Sequence, residues 1–396
     1  MREFRAQRYT EMKKSYTEFF SIMLCVFVFF VGNKSFAQSL DLNGMAIGWG
    51  TASYSEQLNG QLGIRYIPKL SAEVSVREKY SFDAEVSVNG WAASTFWSND
   101  SIQLDEDLKP YRMWLRFSGD QFEVRAGLQK INFGSSSFFR PLMWFDQIDP
   151  RDPLQLTDGV YGILGRYYFL NNANIWIWGL IGNDDPKGWE IFESEKDRPE
   201  FGGRIQIPVW TGEMGLTYHN RSADIRMDSV NFPANFYGFV PENRFGIDAK
   251  FDYEIGFWFE SSVNYIDFMI KEYTYTKLFN IGLDYTIGFG NGLNVMTEFF
   301  VFDNSEKFFK SGNTISFSAL ALNYPVSIIN NINAMIFMDP ENKELYNFIN
   351  WSWQFDRWSI YLMGFWNPDR FQIYPGRDEI NLYAGKGIQI MAVFNH

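Results

Sequence analysis

The sequence predicts an all-β chain: a single transmembrane antiparallel β-barrel of about 18 strands, with about 16 the alternative count, short turns on one rim and long loops on the other. Three observations predict it. Aromatic residues make up 19% of the chain, as 40 Phe, 21 Tyr and 14 Trp, more than a soluble domain keeps from forming adhesive patches. After residue 37 no segment has the roughly 20-residue apolar run of a membrane helix. What recurs instead is alternation of apolar and polar residues, the period of a strand with two different faces.

The first 37 residues stand apart from this pattern. Lys13 and Lys14 precede the uncharged run Phe19 to Gly32, and Ser35 and Ala37 follow as a small-x-small pair. That order of charge, apolar core and small residues is a cleaved secretory signal peptide, with the barrel in residues 38–396. Met12 is an alternative start, and a retained anchor is the alternative reading of the run, which is short for a membrane helix. Cys25, the only cysteine, lies inside the apolar run. Residues 38–396 therefore hold no disulfide, zinc–thiolate site or Cys nucleophile. Removing the six basic and three acidic residues of 1–37 from totals of 35 and 47 leaves 29 against 44, a net charge of −15. Such a balance argues against nucleic acid as a partner.

Strands are expected to start near residues 44, 59, 81, 110, 121, 158, 173, 200, 213, 243, 254, 275, 293, 313, 328, 345, 357 and 382. Tyr111, Met113, Leu115 and Phe117 alternate with Arg112, Trp114 and Arg116. Phe122, Val124, Ala126 and Leu128 alternate with Glu123, Arg125 and Gln129. Phe201, Ile205, Ile207 and Val209 alternate with Arg204 and Gln206, and Ile255 to Tyr265 with Glu254, Glu260, Ser262 and Asn264. One face suits lipid and the other water. A secreted β-sandwich alternates too, but the connections decide between them. Those near Gly119, Asn171, Trp210, Tyr253, Gly290 and Asp356 are tight, whereas 97–109, 133–157, 184–199, 223–242, 303–312 and 367–381 are long. Short turns on one rim and long loops on the other belong to a barrel. In the last strand Leu382, Ala384, Ile388, Ile390, Ala392 and Phe394 share a face, and pairing it with the first removes the sheet edge that lipid would not tolerate.

These faces assign the inward residues. Early strands contribute Arg65, Arg112, Arg116, Arg125, Gln129, Arg166 and Arg204; later ones contribute Asp248, Glu254, Glu260, Asp284 and Glu298. Arg221, Arg244 and Lys250 fall near the changeover, and Asp83 and Glu85 interrupt the basic side. The expectation is a basic wall facing an acidic one, whose charges tune ion preference in a water-filled lumen. The alternative is that the charges pair across a packed, closed interior. The stretch Phe138 to Gly162 is too apolar to hang in water, and it carries Arg140, Asp146, Asp149, Arg151 and Asp152. It is expected to fold into the mouth, with its aromatics on the inner wall and its charges lining a constriction formed by residues 133–157. A lid on the rim with internal salt bridges is the alternative.

The order "RAGLQKINFG", "DPRDPL", "YGILGRYYF" over residues 121–169 resembles porin-like outer-membrane proteins of Gram-negative bacteria. It is similar, more loosely, to the alginate-export barrel family, whose members have 18 strands and a charged lumen. The resemblance implies a channel for hydrophilic solutes, with Arg125, Gln129, Arg140, Asp149, Arg151 and Asp152 as residues to test.

Other chemistries find little support. A Ser-His-Asp hydrolase would have to use His219, and no G-x-S-x-G is present. Asp146, Asp149 and Asp152 lack the spacing of a calcium loop and suit salt bridges with Arg140 and Arg151 better. Asn291-Gly292 marks a hairpin, not a phosphate loop. No cofactor and no metal is expected. The reading is a non-enzymatic channel in the cell outer membrane for small hydrophilic solutes or oligosaccharides. Its partners would be the bilayer, lipopolysaccharide, the solute and, in a homo-oligomer, its own copies. The alternatives are a plugged barrel serving as a surface anchor or export component, with 222–242 as a working loop, and a hydrolase.

Overall fold

Alternation of side chains leaves each strand with one face for lipid and one for the interior, and in the computed structural model the two faces separate. On one strand Glu260, Ser262 and Asn264 are buried inside while Phe257, Phe259 and Val263 are part-exposed outside. The structure describes residues 39–76, 79–98, 101–225, 238–267, 271–368 and 383–396. The expected signal peptide, Leu382 and much of the loops expected at 223–242 and 367–381 lie outside these residues.

The strands are β1 (Ser39–Ser55), β2 (Gln57–Val76), β3 (Tyr80–Trp97), β4 (Ile102–Gly119), β5 (Phe122–Gln129), β6 (Val160–Tyr168), β7 (Asn174–Leu180), β8 (Glu193–Ser194), β9 (Glu200–Val209) and β10 (Gly212–Asp224). They continue as β11 (Phe239–Asp252), β12 (Gly256–Ile266), β13 (Tyr275–Ile287), β14 (Leu293–Ser305), β15 (Asn313–Pro325), β16 (Asn330–Asp339), β17 (Glu344–Gln354), β18 (Trp358–Trp366) and β19 (Lys386–Asn395). All pairings are antiparallel between neighbours, and β1 pairs with both β2 and β19, so the sheet closes. Eighteen strands make the ring; β8 is a two-residue strand on the tip of β10. No helix among the described residues is long and apolar enough to cross a membrane; the strands carry the crossing.

Leu62, Ile64, Ile163, Ile177, Ile205, Leu216, Phe245, Ile388 and Ile390 are each more than half exposed on the outer face. The short turns carry a girdle of exposed Leu170, Trp210, Tyr253, Phe289, Ile328 and Phe355, suited to a membrane interface. This exterior is built to be solvated by lipid.

Four expectations need correction. Glu254 and Ile255 are exposed in the turn between β11 and β12, so Glu254 does not line the interior. A register shift between Ser87 and Val88 opposes Pro110 and Arg112 and leaves Tyr111 as an extra residue. The bulge turns Tyr111 away from the lipid face onto an interior cavity. The long loop expected at 97–109 is mostly strand, since β4 begins at Ile102. Ala384 precedes β19, so it shares no strand face with Ile388.

Wall height is uneven. Strands β1 to β4 run 17, 20, 18 and 18 residues, and Glu56 alone joins β1 to β2, at φ 59°. By contrast β5, β6 and β7 run 8, 9 and 7 residues, and on the same rim residues 130–159 join β5 to β6 and residues 181–199 join β7 to β9. Ile390→Arg in the middle of β19 is expected to destabilise the barrel in bilayers by about 2–4 kcal/mol. A denaturant titration in liposomes reads this, and an unchanged midpoint would place that face out of lipid.

Candidate functional site

A segment drawn into a barrel takes its backbone N–H groups away from both the ladder and the bulk water, so they need acceptors. Two wall carboxylates supply them. Glu260 on β12 accepts from the amides of Ser135 at 2.8 Å, Ser136 at 3.0 Å and Leu142 at 2.5 Å. Glu298 on β14 accepts from Ser137 at 2.7 Å and from Phe138 and Phe139 at 3.0 Å each, and from the Trp258 indole at 3.0 Å. Gly134, at φ 98°, makes the approach feasible: a Cβ there would lie 2.5 Å from a Glu260 oxygen.

Once held, the segment 130–159 crosses the interior. Phe139 stacks on Phe300 and Phe317 with centroids 5.3 and 5.9 Å apart, and Phe138 meets Phe337 edge-on. Phe133, Trp144 and Phe145 pack with Trp178 and Leu164 on the β6–β7 side. These contacts fill one side of the interior with apolar side chains. A second inward segment, 181–199, lies against the first. Its Trp189 stacks on Phe300 at 4.5 Å and donates to the Arg140 carbonyl at 3.1 Å. Glu190 meets Arg244 at 2.7 Å and Arg221 at 3.3 Å, and Glu242 bonds both arginines. Buried charges of this kind persist because each is paired. Sequence reasoning read 184–199 as an ordinary loop; the apolar Trp189, Ile191 and Phe192 within it were the available signal.

The other side of the interior stays open. A cavity of 540 Å³ lies between the later part of the first segment and the wall of β19 and β1 to β4. Its charged lining includes Arg65, Asp107, Lys109, Asp149, Asp152 and Asp158, and its aromatic lining Trp49, Trp91, Tyr111 and Tyr383. Lys109 bonds Asp158 at 2.7 Å, and Arg151 bonds Asp149 at 2.6 Å. The Asp152 carboxylate accepts from the Leu154 and Leu156 amides at 2.9 and 3.2 Å. Burial pushes the Asp152 carboxyl above its usual range, although those two amides pull the other way.

The expected site residues sort into groups. Asp149 and Asp152 line the cavity, and Arg151 sits beside it over Tyr383. Arg112 is buried in the wall and donates to the Thr157 carbonyl at 2.8 Å. Arg116, Arg125 and Arg166 form an interior rung toward the short-turn rim: Arg116 bonds Asp83 at 3.0 Å, Arg166 bonds Glu123 at 3.0 Å, and Arg125 lies 3.8 Å from Glu123. Trp114 and Trp176 lie flat beneath Arg125 and Arg166. Asp284 stands near that rim beside Gly256.

Other expected lining residues are consumed by packing. Arg140 and Asp146 are 5% and 1% exposed and bond each other at 2.9 Å inside the segment, so they line nothing. Gln129 is fully buried and bonds the Arg125 and Gly162 carbonyls of its own hairpin. Arg204 makes two bonds to Asp248, at 2.5 and 2.8 Å. The expected basic wall facing an acidic wall is therefore corrected: Glu260 and Glu298 are spent on loop amides, Asp248 on Arg204, and Arg116, Arg125 and Arg166 on Asp83 and Glu123. Cross-strand register brought these partners together, and sequence order conceals it.

His219 is also accounted for. Trp178 donates to its Nδ1 at 3.2 Å, which leaves the proton on Nε2 to bond Glu200 at 3.0 Å. Neither ring nitrogen is left to take a proton from a nucleophile.

No protein-family model and no curated protein matches the chain. Solved structures do. OccK7 of Pseudomonas aeruginosa matches with a TM-score of 0.55 at 8% identity, over 91% of this chain and 99% of that one. OccAB2 of Acinetobacter baumannii matches at 0.54 and 8%, over 92% and 99%. OmpT of Vibrio cholerae, an outer membrane protein solved in its trimer form, matches at 0.51 and 10%, over 90% and 99%. At these identities the likeness establishes the fold: a porin-like outer-membrane barrel.

Glu298→Ala strands four donors, of which the three on Phe138, Phe139 and Trp258 are buried and worth about 1–3 kcal/mol each when unsatisfied. Detachment of the segment avoids that cost. Amide exchange over residues 135–145 is therefore expected to rise sharply while the strands stay protected; unchanged exchange would show that the carboxylate is not the anchor.

Proposed function

We propose that the chain is an outer-membrane channel for small hydrophilic solutes or oligosaccharides, exported by a signal peptide in residues 1–37, with residues 133–157 of the segment 130–159 setting its constriction. One observation carries the reading. The segment crosses the interior and packs one side with aromatics, yet it leaves a polar cavity of 540 Å³ against the opposite wall. A segment built only to close the barrel would have no reason to keep charged groups facing a void. A homo-oligomer belongs to the same reading, with the trimer form of the Vibrio cholerae protein as precedent.

The plugged-anchor reading has its own support in the second inward segment, where Trp189, Glu190, Arg221 and Arg244 lock 181–199 over the first. Single-channel recording in a planar bilayer separates the two. Discrete conductance steps are expected, and a folded but silent barrel would favour the anchor. A hydrolase lacks a free His219, and the channel needs no cofactor.

Charge changes beside the cavity should be felt, and those elsewhere should not. Arg151→Gln is expected to move the reversal potential in a salt gradient toward cations, while Arg140→Gln leaves it in place because Arg140 is sealed behind Asp146. Equal shifts from both would move the constriction elsewhere. Asp152 loses its charge on acidification at a higher pH than an ordinary carboxylate, since burial raises it. Cation preference is thus expected to drop in that window, and Asp152→Asn should abolish the step. A pH profile identical in the variant would remove Asp152 from the path.

A further inference from the structure

We propose that the 540 Å³ cavity is a saccharide site that takes neutral sugars in preference to acidic ones. This rests on the channel reading above and names the class of solute. The first observation is an unanswered acceptor. Asn89 lines the cavity at 5% exposure, and its Oδ1 has no hydrogen-bond partner. A buried carbonyl oxygen calls for a donor, and a sugar hydroxyl is one; a carboxylate is not.

The second observation is a belt of neutral polar groups on four adjacent strands. Gln389 on β19 donates to Thr51 on β1 at 3.1 Å, Thr51 is the cross-strand partner of Gln61 on β2, and Gln61 donates to Thr95 on β3 at 3.2 Å. Gln61 and Gln389 line the cavity, held by Thr95 and Thr51 behind them, and amides both give and accept, which matches the two-way hydrogen bonding of a sugar ring. The third is an aromatic platform. Trp49 is fixed by its indole N–H on Gln61 at 2.8 Å, its ring is seated against Gly63, where a Cβ would come within 2.0 Å of it, and the Arg65 guanidinium stands 5.9 Å from its centroid. A flat apolar face beside a row of amides suits the C–H face of a pyranose.

Charge decides the sign. Lys109 is held between Asp158 at 2.7 Å and Asp107 at 4.0 Å, Arg151 is taken by Asp149, and Asp152 is satisfied by backbone amides. An anionic sugar would meet four lining carboxylates, Asp107, Asp149, Asp152 and Asp158, against the two lining cations Arg65 and Lys109, and would gain repulsion in return.

The protein purified from outer membranes into an amine-oxide detergent, which has no sugar headgroup, is titrated calorimetrically with maltohexaose, cellohexaose, mannohexaose and hexagalacturonate. At least one neutral hexamer is expected to bind at least about tenfold tighter than hexagalacturonate. Trp49→Ala and Asn89→Leu should each weaken it by about tenfold, the scale of a lost stacking platform or buried hydrogen bond. Gly63→Ala, which pushes the indole off its seat, gives the same loss where Trp49→Ala does not fold. Arg116→Gln on the lower rung should leave affinity unchanged. Heat from none of the neutral sugars, equal binding of hexagalacturonate, or indifference to both Trp49 and Asn89 overturns the proposal. Sugar binding by a silent barrel would overturn the channel and keep the site; conductance without sugar binding would do the reverse.

Discussion

Six backbone amides on two carboxylates are what the interior of this barrel depends on. A closed sheet in lipid satisfies its own ladder, so a segment pulled inside has no strand to pair with. Glu260 and Glu298 replace that missing ladder for residues 135–142. Each carboxylate is in turn kept from being a bare buried charge by the amides it receives. The arrangement is mutual: neither the segment nor the two acids would be tolerable without the other.

From that anchorage the division of the interior follows. The aromatics that the segment brings can reach only the wall of β6 to β18, so that side becomes packed core. The wall of β19 and β1 to β4 is left facing a polar cavity, with Leu154 and Leu156 of the segment packed beside it on Ile47 and Met391. Uneven strand lengths match this division. Where strands are long, the rim connections are tight; where they are short, the chain is spent inside the barrel.

Much of the fold was legible. Alternation marks the strands because lipid and water demand opposite side chains at successive positions, and all eighteen expected starts lie within a few residues of a ring strand. The inward course of 133–157 was legible from aromatics that water would not accept. The site was read less well, for identifiable reasons. Tyr111 changed faces through a bulge that no residue type announces. Arg204 and Asp248 belong to strands two apart, and only the register of the sheet shows that they cancel. Trp49, Asn89, Trp91 and Gln389 carried no charge and so attracted no notice, although they line the cavity. Arg140 and Asp146 looked functional because they were charged, and proved to be each other's partner.

The anchoring carboxylates also bear on how such a barrel comes to be made. Ser135 to Phe139 bond residues 124 to 161 positions later in the chain, a very non-local closure and a slow kind of contact to form. The segment follows β5, whereas its acceptors stand far later in the chain, on β12 and β14. Phe138 and Phe139 then meet Phe337 on β16 and share a cluster with Phe348 and Phe365 on β17 and β18. The last strands thus share their core with the segment, and β19 closes on β1 around it. Ring and segment therefore share one core, and neither is complete without the other.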